Sequence, residues 1–293
     1  MRALPGRRSV AVVGALTAVL TTVVGAGTAQ AATPGYVALG DSYSAGSGVP
    51  PLAPDAPLIC ARSAANYPHL VAAVDGYQLT DVTCGGATTS DMTTAQHRGV
   101  PPQFDALTST TSVVTIGIGG NDNGFFGHVL EKCSLVGLAG EVGVSHGAPC
   151  EKLFGDSLAS DISSDAGAIG AALREIHSRS PHANVFLVGY PDVVPQSGGC
   201  YPAMPIANGD IAFLNRLETQ LNSMLRTEAE QNGVSFVDTY TPTIGHDACQ
   251  APGVRWIEPL IGANGAVAVH PNAAGEAAEA RAVESAIKTA SAA

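Results

Sequence analysis

"SVVTIGIGG", residues Ser112 to Gly120, is a continuous apolar run that closes on two glycines. A strand with one wet face alternates apolar and polar side chains, whereas a strand covered on both faces does not. The run is therefore the signature of a strand buried inside a parallel sheet. Outward from it, strand and helix signals alternate. "GYVALG" (Gly35 to Gly40) is a short apolar strand that stops at Gly-Asp-Ser, and "SAANYPHLVAAVDG" (Ser63 to Gly76) reads as a helix ending at a glycine. "YQLTDVTC" (Tyr77 to Cys84) is a second strand. Downstream come a long helix over Leu158 to Ser180, a strand over Asn184 to Pro191 and a helix over Gly209 to Gly233. A strand over Val234 to Tyr240 and a last helix over Asn272 to Ala290 complete the series. This alternation predicts a three-layer α/β/α sandwich around a five-stranded, mostly parallel sheet.

The N-terminus stands apart from this pattern. Arg2, Arg7 and Arg8 precede an apolar stretch from Val10 to Ala26, and Ala29 and Ala31 occupy the two positions that a signal peptidase reads. Residues 1–31 are expected to be a secretory signal peptide and 32–293 a single domain. Gly14, Thr17, Thr21 and Thr22 dilute the stretch, which favours cleavage over an uncleaved anchor. No later run is long enough to span a bilayer. The leader holds three of the 14 basic residues and no acid, which leaves 11 bases against 25 acids beyond it. So acidic a chain is not held electrostatically by nucleic acid or by an anionic membrane surface. A monomer is expected.

Six cysteines (Cys60, Cys84, Cys133, Cys150, Cys200 and Cys249) form no Cys-x-x-Cys pair, which argues against zinc or thioredoxin-type chemistry. An even count in an exported chain suggests three disulfides. Sequence alone does not choose among the pairings; the sequential set 60–84, 133–150 and 200–249 is the expectation. The Gly-, Pro- and Cys-rich pieces Pro50 to Cys60, Val136 to Cys150, Gln196 to Pro205 and Thr241 to Gly265 read as ordered loops pinned by those bonds.

In open parallel sheets, ligands bind outside the carboxyl ends of the strands. The first strand delivers "GDSYSAG" (Gly40 to Gly46), with Ser42 in a tight turn. The second delivers "CGGATT" (Cys84 to Thr89), where Gly86 lets a backbone N–H approach a substrate. The third delivers "IGGNDNG" (Ile118 to Gly124), where Asn121 offers a carboxamide and Asp122 orders the loop. The last loop delivers His270 in "VAVHPN" (Val267 to Asn272). Taken singly, a serine in a turn is more often a cap, an asparagine an Asx-turn and a histidine a core residue. Together, a hydroxyl, a close N–H, an amide and an imidazole make a complete acyl-transfer set.

These four blocks resemble, in order, those of the SGNH (GDSL-type) hydrolases. Gly40-Asp41-Ser42-Tyr43-Ser44 is similar to the family's nucleophile block and Gly86 to its glycine block. Gly119-Gly120-Asn121-Asp122 is similar to its Gly-x-Asn-Asp block and His270 to its histidine block. The cysteine layout and "RWIEP" (Arg255 to Pro259) resemble a branch of secreted actinomycete lipases and esterases. The resemblance implies a flavodoxin-like fold and a Ser42 nucleophile with a His270 base. It further implies an oxyanion hole of Ser42 N–H, Gly86 N–H and the Asn121 amide, with no metal or organic cofactor. The family's last block usually carries aspartate three residues before the histidine, and Val267 stands there instead. A main-chain carbonyl in Gly265 to Val269, with Val267 first among them, is expected to hold the His270 ring; a carboxylate such as Glu258 is the alternative. The expected activity is hydrolysis of fatty acyl esters, with "GVPPLAP" (Gly48 to Pro54), "NGFFGHVL" (Asn123 to Leu130) and "CYPAMP" (Cys200 to Pro205) as candidate pocket walls. The alternatives are an esterase acting on acylated polysaccharide, disfavoured by a lone Trp256, and a non-catalytic binder on the same fold.

Overall fold

The computed structural model describes residues 1, 2, 6, 33–141 and 147–292. The expected signal peptide lies almost wholly outside the described residues. Among the described residues there are five strands: β1 (Gly35–Gly40), β2 (Gln78–Asp81), β3 (Thr111–Gly117), β4 (Asn184–Val188) and β5 (Ser235–Val237). They lie in the order β2-β1-β3-β4-β5, and every pairing is parallel. This is the flavodoxin-like order, which reverses direction between β1 and β3.

Each buried strand divides its side chains between two helical layers, because successive residues point to opposite faces. Tyr36, Ala38, Phe186 and Val188 face α1 (Tyr67–Asp75) and α6 (Ala273–Ser291), where they meet Val71, Val283 and Ile287. Val37, Leu39, Val114, Ile116, Val185 and Leu187 face α4 (Pro149–Arg179) and α5 (Ile211–Gln231), where Ile169, Leu173, Leu221 and Leu225 wait. Thr115 is a fully buried polar residue in the middle of β3, and it is satisfied by the Tyr36 hydroxyl at 2.8 Å.

Two boundaries differ from the sequence expectation for identifiable reasons. The first helix begins at Tyr67 rather than Ser63, because the Asn66 side chain caps it by accepting from the His69 N–H. The Val136 to Cys150 loop is partly helical. It contains most of α3 (Ser134–Glu141), which continues the short α2 (Phe125–His128), and α4 starts at Pro149 rather than Leu158. The start of α4 is held from a distance: the Asp210 carboxylate accepts from the Cys150 and Glu151 N–H groups, both at 3.0 Å. That satisfies orphan donors of the first turn with a residue that no local pattern reveals.

The disulfides are Cys60–Cys84, Cys133–Cys150 and Cys200–Cys249. The first ties the long β1–α1 connection to the end of β2, where the Gly85 N–H also donates to the Cys60 carbonyl at 3.0 Å. Among the described residues no helix is long and apolar enough to cross a membrane.

Candidate active site

The nucleophile turn is built on a glycine that no other residue could replace cheaply. Gly40 has φ +143°, and a Cβ there would lie 2.5 Å from the Gly117 carbonyl and from Ser44 Oγ. The Gln103 amide brackets the same residue, accepting from Gly40 N–H at 2.7 Å and donating to Gly40 C=O at 2.9 Å. Past Gly40 the chain turns at once, with Asp41 N–H bonded to Gly117 C=O at 3.0 Å. Ser42 therefore stands at the carboxyl end of β1, beside the point where the strand order reverses.

His270 arrives from the other end of the chain. Its Nε2 lies 2.7 Å from Ser42 Oγ and its Nδ1 lies 2.8 Å from the Ala268 carbonyl oxygen. The carbonyl is thus Ala268's, two residues back, and the expectation for Val267 is corrected. The cause is local. Val269 has φ +62°, a rare conformation for a β-branched residue, which folds the chain back so that the preceding carbonyl meets the ring. Val267 is instead drawn the other way, its N–H donating to Ser47 C=O at 3.0 Å. Glu258 does not reach the imidazole. Its carboxylate accepts from Arg255 at 2.9 Å, from Asn272 at 3.0 Å and from the Asn264 N–H at 3.0 Å. Its backbone does brace the turn, with Val269 N–H donating to Glu258 C=O and Glu258 N–H to His270 C=O.

The turns carrying Gly86 and Asn121 are joined to one another. Asn121 Nδ2 donates to Ala87 C=O at 3.0 Å, and the Asp122 carboxylate accepts from Thr89 N–H and from Thr89 Oγ1. Asp122 orders the loop as expected, by tying it to the neighbouring turn. One Asn121 N–H is left over. The Ser42 and Gly86 N–H groups have no protein acceptor among the described residues. Gly86 has φ +76°.

An apolar cavity of about 260 Å³ opens beside Ser42, Asn121 and His270. Phe125, Phe126, Leu130, Val194, Met204 and Leu214 are among its walls. The Asn123 to Leu130 piece thus supplies several walls and Cys200 to Pro205 supplies Met204, while none of Gly48 to Pro54 faces it. Trp256 lies elsewhere, stacked on His246 at 3.5 Å.

Burial governs the electrostatics. It lowers the His270 pKa below the ordinary value, against a smaller opposing effect of the Ala268 hydrogen bond. It pushes the Asp41 carboxyl up to about 7, in spite of hydrogen bonds from the Tyr190 hydroxyl and the Tyr43 N–H. Glu218, on the cavity wall, has its carboxyl pushed well above the ordinary range by burial and then by the nearby Asp192 carboxylate. Sequence reasoning did not single out Tyr43, Gln103, Tyr190 or Glu218. The rule that strand ends deliver site residues could have drawn attention to Tyr190, which follows β4; Glu218 lies inside a helix and carries no such signal.

A flavodoxin-ordered parallel sheet, with a Ser–His contact at its switch point and an apolar cavity beside it, defines an SGNH-type hydrolase architecture. The chain belongs to the GDSL-like lipase/acylhydrolase family, which it matches over residues 38–278, and is a carboxylic ester hydrolase of that family. It is 46% identical over 273 residues to Lipase 2 of Streptomyces coelicolor, covering 92% of this chain and 91% of the relative. Phospholipase A1 from Streptomyces albidoflavus NA297 is similar in structure, with a TM-score of 0.73 at 30% identity over 87% of this chain and 100% of the other. The extracellular lipase of Streptomyces rimosus has a TM-score of 0.67 at 26% identity, over 87% of this chain and 100% of that one.

Proposed function

We propose that the chain is a secreted lipase or esterase that cleaves fatty acyl esters by two-step acyl transfer through Ser42 and His270. The observation that carries this reading is the 2.7 Å contact between Ser42 Oγ and His270 Nε2, made while Nδ1 is engaged by the Ala268 carbonyl. That bond fixes the tautomer with its proton on Nδ1, leaving Nε2 free to accept the serine proton. Ser42 Oγ attacks the ester carbonyl as His270 takes its proton. The resulting oxyanion is met by the N–H groups of Ser42 and Gly86 and by the free N–H of Asn121. His270 then protonates the departing alcohol, and water repeats the cycle on the acyl-enzyme.

A carbonyl supplies a dipole where a triad aspartate supplies a full charge. It still avoids the larger fault, since a wrong tautomer costs about 10⁴ in rate. The apolar cavity beside Ser42 favours a fatty acyl chain over an acetylated sugar, and the absence of Trp256 from its walls points the same way. Three disulfides suit an oxidising compartment, and the leader through Ala31 is removed on export in this reading. Turnover of p-nitrophenyl esters of graded chain length by wild type and Ser42→Ala tests it. The variant is expected to lose turnover while keeping its melting temperature. Full activity in Ser42→Ala would overturn the assignment, and an optimum at acetyl esters would favour the polysaccharide alternative.

A further inference from the structure

The nucleophile turn and the Asn121 turn follow different strands, and their relative placement decides whether the oxyanion donors meet the tetrahedral intermediate. The structure shows one side chain bonded to both. The Tyr190 hydroxyl, delivered just past β4, accepts from the Gly120 N–H at 2.8 Å and donates to Asp41 Oδ2 at 2.6 Å. On the other oxygen, Asp41 Oδ1 accepts from the Tyr43 N–H at 2.9 Å. Gly120 immediately precedes Asn121, and Asp41 immediately precedes Ser42. All three residues of this chain of bonds are buried: Asp41 is 0% exposed and Tyr190 is 3% exposed, so water does not substitute for a lost partner.

The ring carries the same connection by packing. Tyr190 meets Tyr43 edge-on at 5.2 Å and Phe126 edge-on at 5.0 Å. Tyr43 in turn lies 4.8 Å from the His270 ring, and its hydroxyl donates to Val269 C=O at 2.6 Å. The Phe126 ring packs directly on Gly120, where an added Cβ would lie 1.9 Å from Phe126 Cε2.

We infer that Tyr190 is a positioning residue for ester hydrolysis, whose hydroxyl sets the distance between the Ser42 turn and the Asn121 oxyanion donor. The inference rests on the Ser42–His270 reading. Tyr190 is not among the cavity walls; it acts through Asp41 and Gly120. Because a fixed donor matters most when charge develops, loss of the hydroxyl is felt in the transition state more than in substrate binding.

Tyr190→Phe keeps the ring contacts and removes only the hydroxyl. The expected result is a kcat lowered about 10- to 100-fold with KM within about twofold. The inhibition constant of an alkyl boronic acid, which forms a tetrahedral adduct on a serine nucleophile, should rise by the same factor. A role confined to stability would lower the melting temperature and leave both quantities unchanged per folded molecule. Asp41→Ala removes the acceptor at the other end of the same bond and decides the question if Tyr190→Phe is not recovered folded. The double variant is expected to be no more than about twofold worse than the poorer single variant, as for two ends of one interaction. A kcat for Tyr190→Phe within twofold of wild type, or fully additive losses in the double variant, would overturn the inference. Neither result would touch the catalytic reading, which stands or falls with Ser42→Ala.

Discussion

Replacing Asn121 by alanine separates two roles that the structure gives to one carboxamide. One of its N–H bonds is spent on Ala87 C=O at 3.0 Å, and the second is unclaimed on the cavity wall next to Ser42 and His270. In the proposed mechanism the second bond meets the oxyanion. Removing a single oxyanion donor costs about 10²- to 10³-fold in kcat, or about 2.7–4 kcal/mol of transition-state stabilisation. The first bond is structural. Ala87 is fully buried, so its carbonyl loses a donor that water does not replace, at about 1–3 kcal/mol of folding stability. A chain of this size then melts a few degrees lower. The assay is kcat and KM on p-nitrophenyl butyrate, with enzyme counted by active-site titration and melting recorded separately. Asn121→Asp sharpens the contrast, because a carboxylate repels both the oxyanion and the Ala87 carbonyl, and it should be worse on both counts. If Asn121→Ala melts lower yet keeps kcat within about threefold of wild type, the residue only ties two turns together and the oxyanion assignment is wrong.

Two further outcomes follow from the charges in the cleft. Burial depresses the His270 pKa, and only the neutral ring accepts a proton, so kcat/KM should rise with pH through a midpoint below 6.5; a carboxylate behind the ring would push that midpoint above 6.5, and an NMR titration of the His270 ring tells the two apart. Glu218→Leu removes a carboxyl from a largely apolar wall, and the kcat/KM ratio of dodecanoyl to butanoyl p-nitrophenyl ester should rise roughly tenfold, since covering a polar group with an acyl chain costs about 1–3 kcal/mol. An unchanged ratio would mean that the acyl chain never reaches Glu218.

How much of this was legible beforehand differs from residue to residue. The sheet was, because the Ser112 to Gly120 run and its neighbours carry apolar patterns that only a covered parallel sheet accounts for. The blocks around Ser42, Gly86, Asn121 and His270 were also visible, since turn chemistry is written in adjacent residues. The carbonyl partner of His270 was legible only to within a few residues. Choosing Ala268 over Val267 depends on the positive φ of Val269, a conformation that valine does not advertise. The beginning of α4 was hidden because its cap, Asp210, lies far along the chain. Tyr190 and Glu218 were silent for a related reason: each matters through what the fold brings against it.

The carbonyl behind His270 has a consequence for charge balance. In a Ser–His–Asp site the resting machinery already carries a negative charge, and it keeps that net charge when oxyanion and imidazolium form together. Here the resting pair would be neutral, and the intermediate would be a zwitterion with no net charge. The acid released at the end of each cycle ionises to an anion near neutral pH. No catalytic carboxylate would then stand behind the imidazole to repel it, so a carbonyl in that place would weaken the pull on the imidazolium but ease the exit of the product.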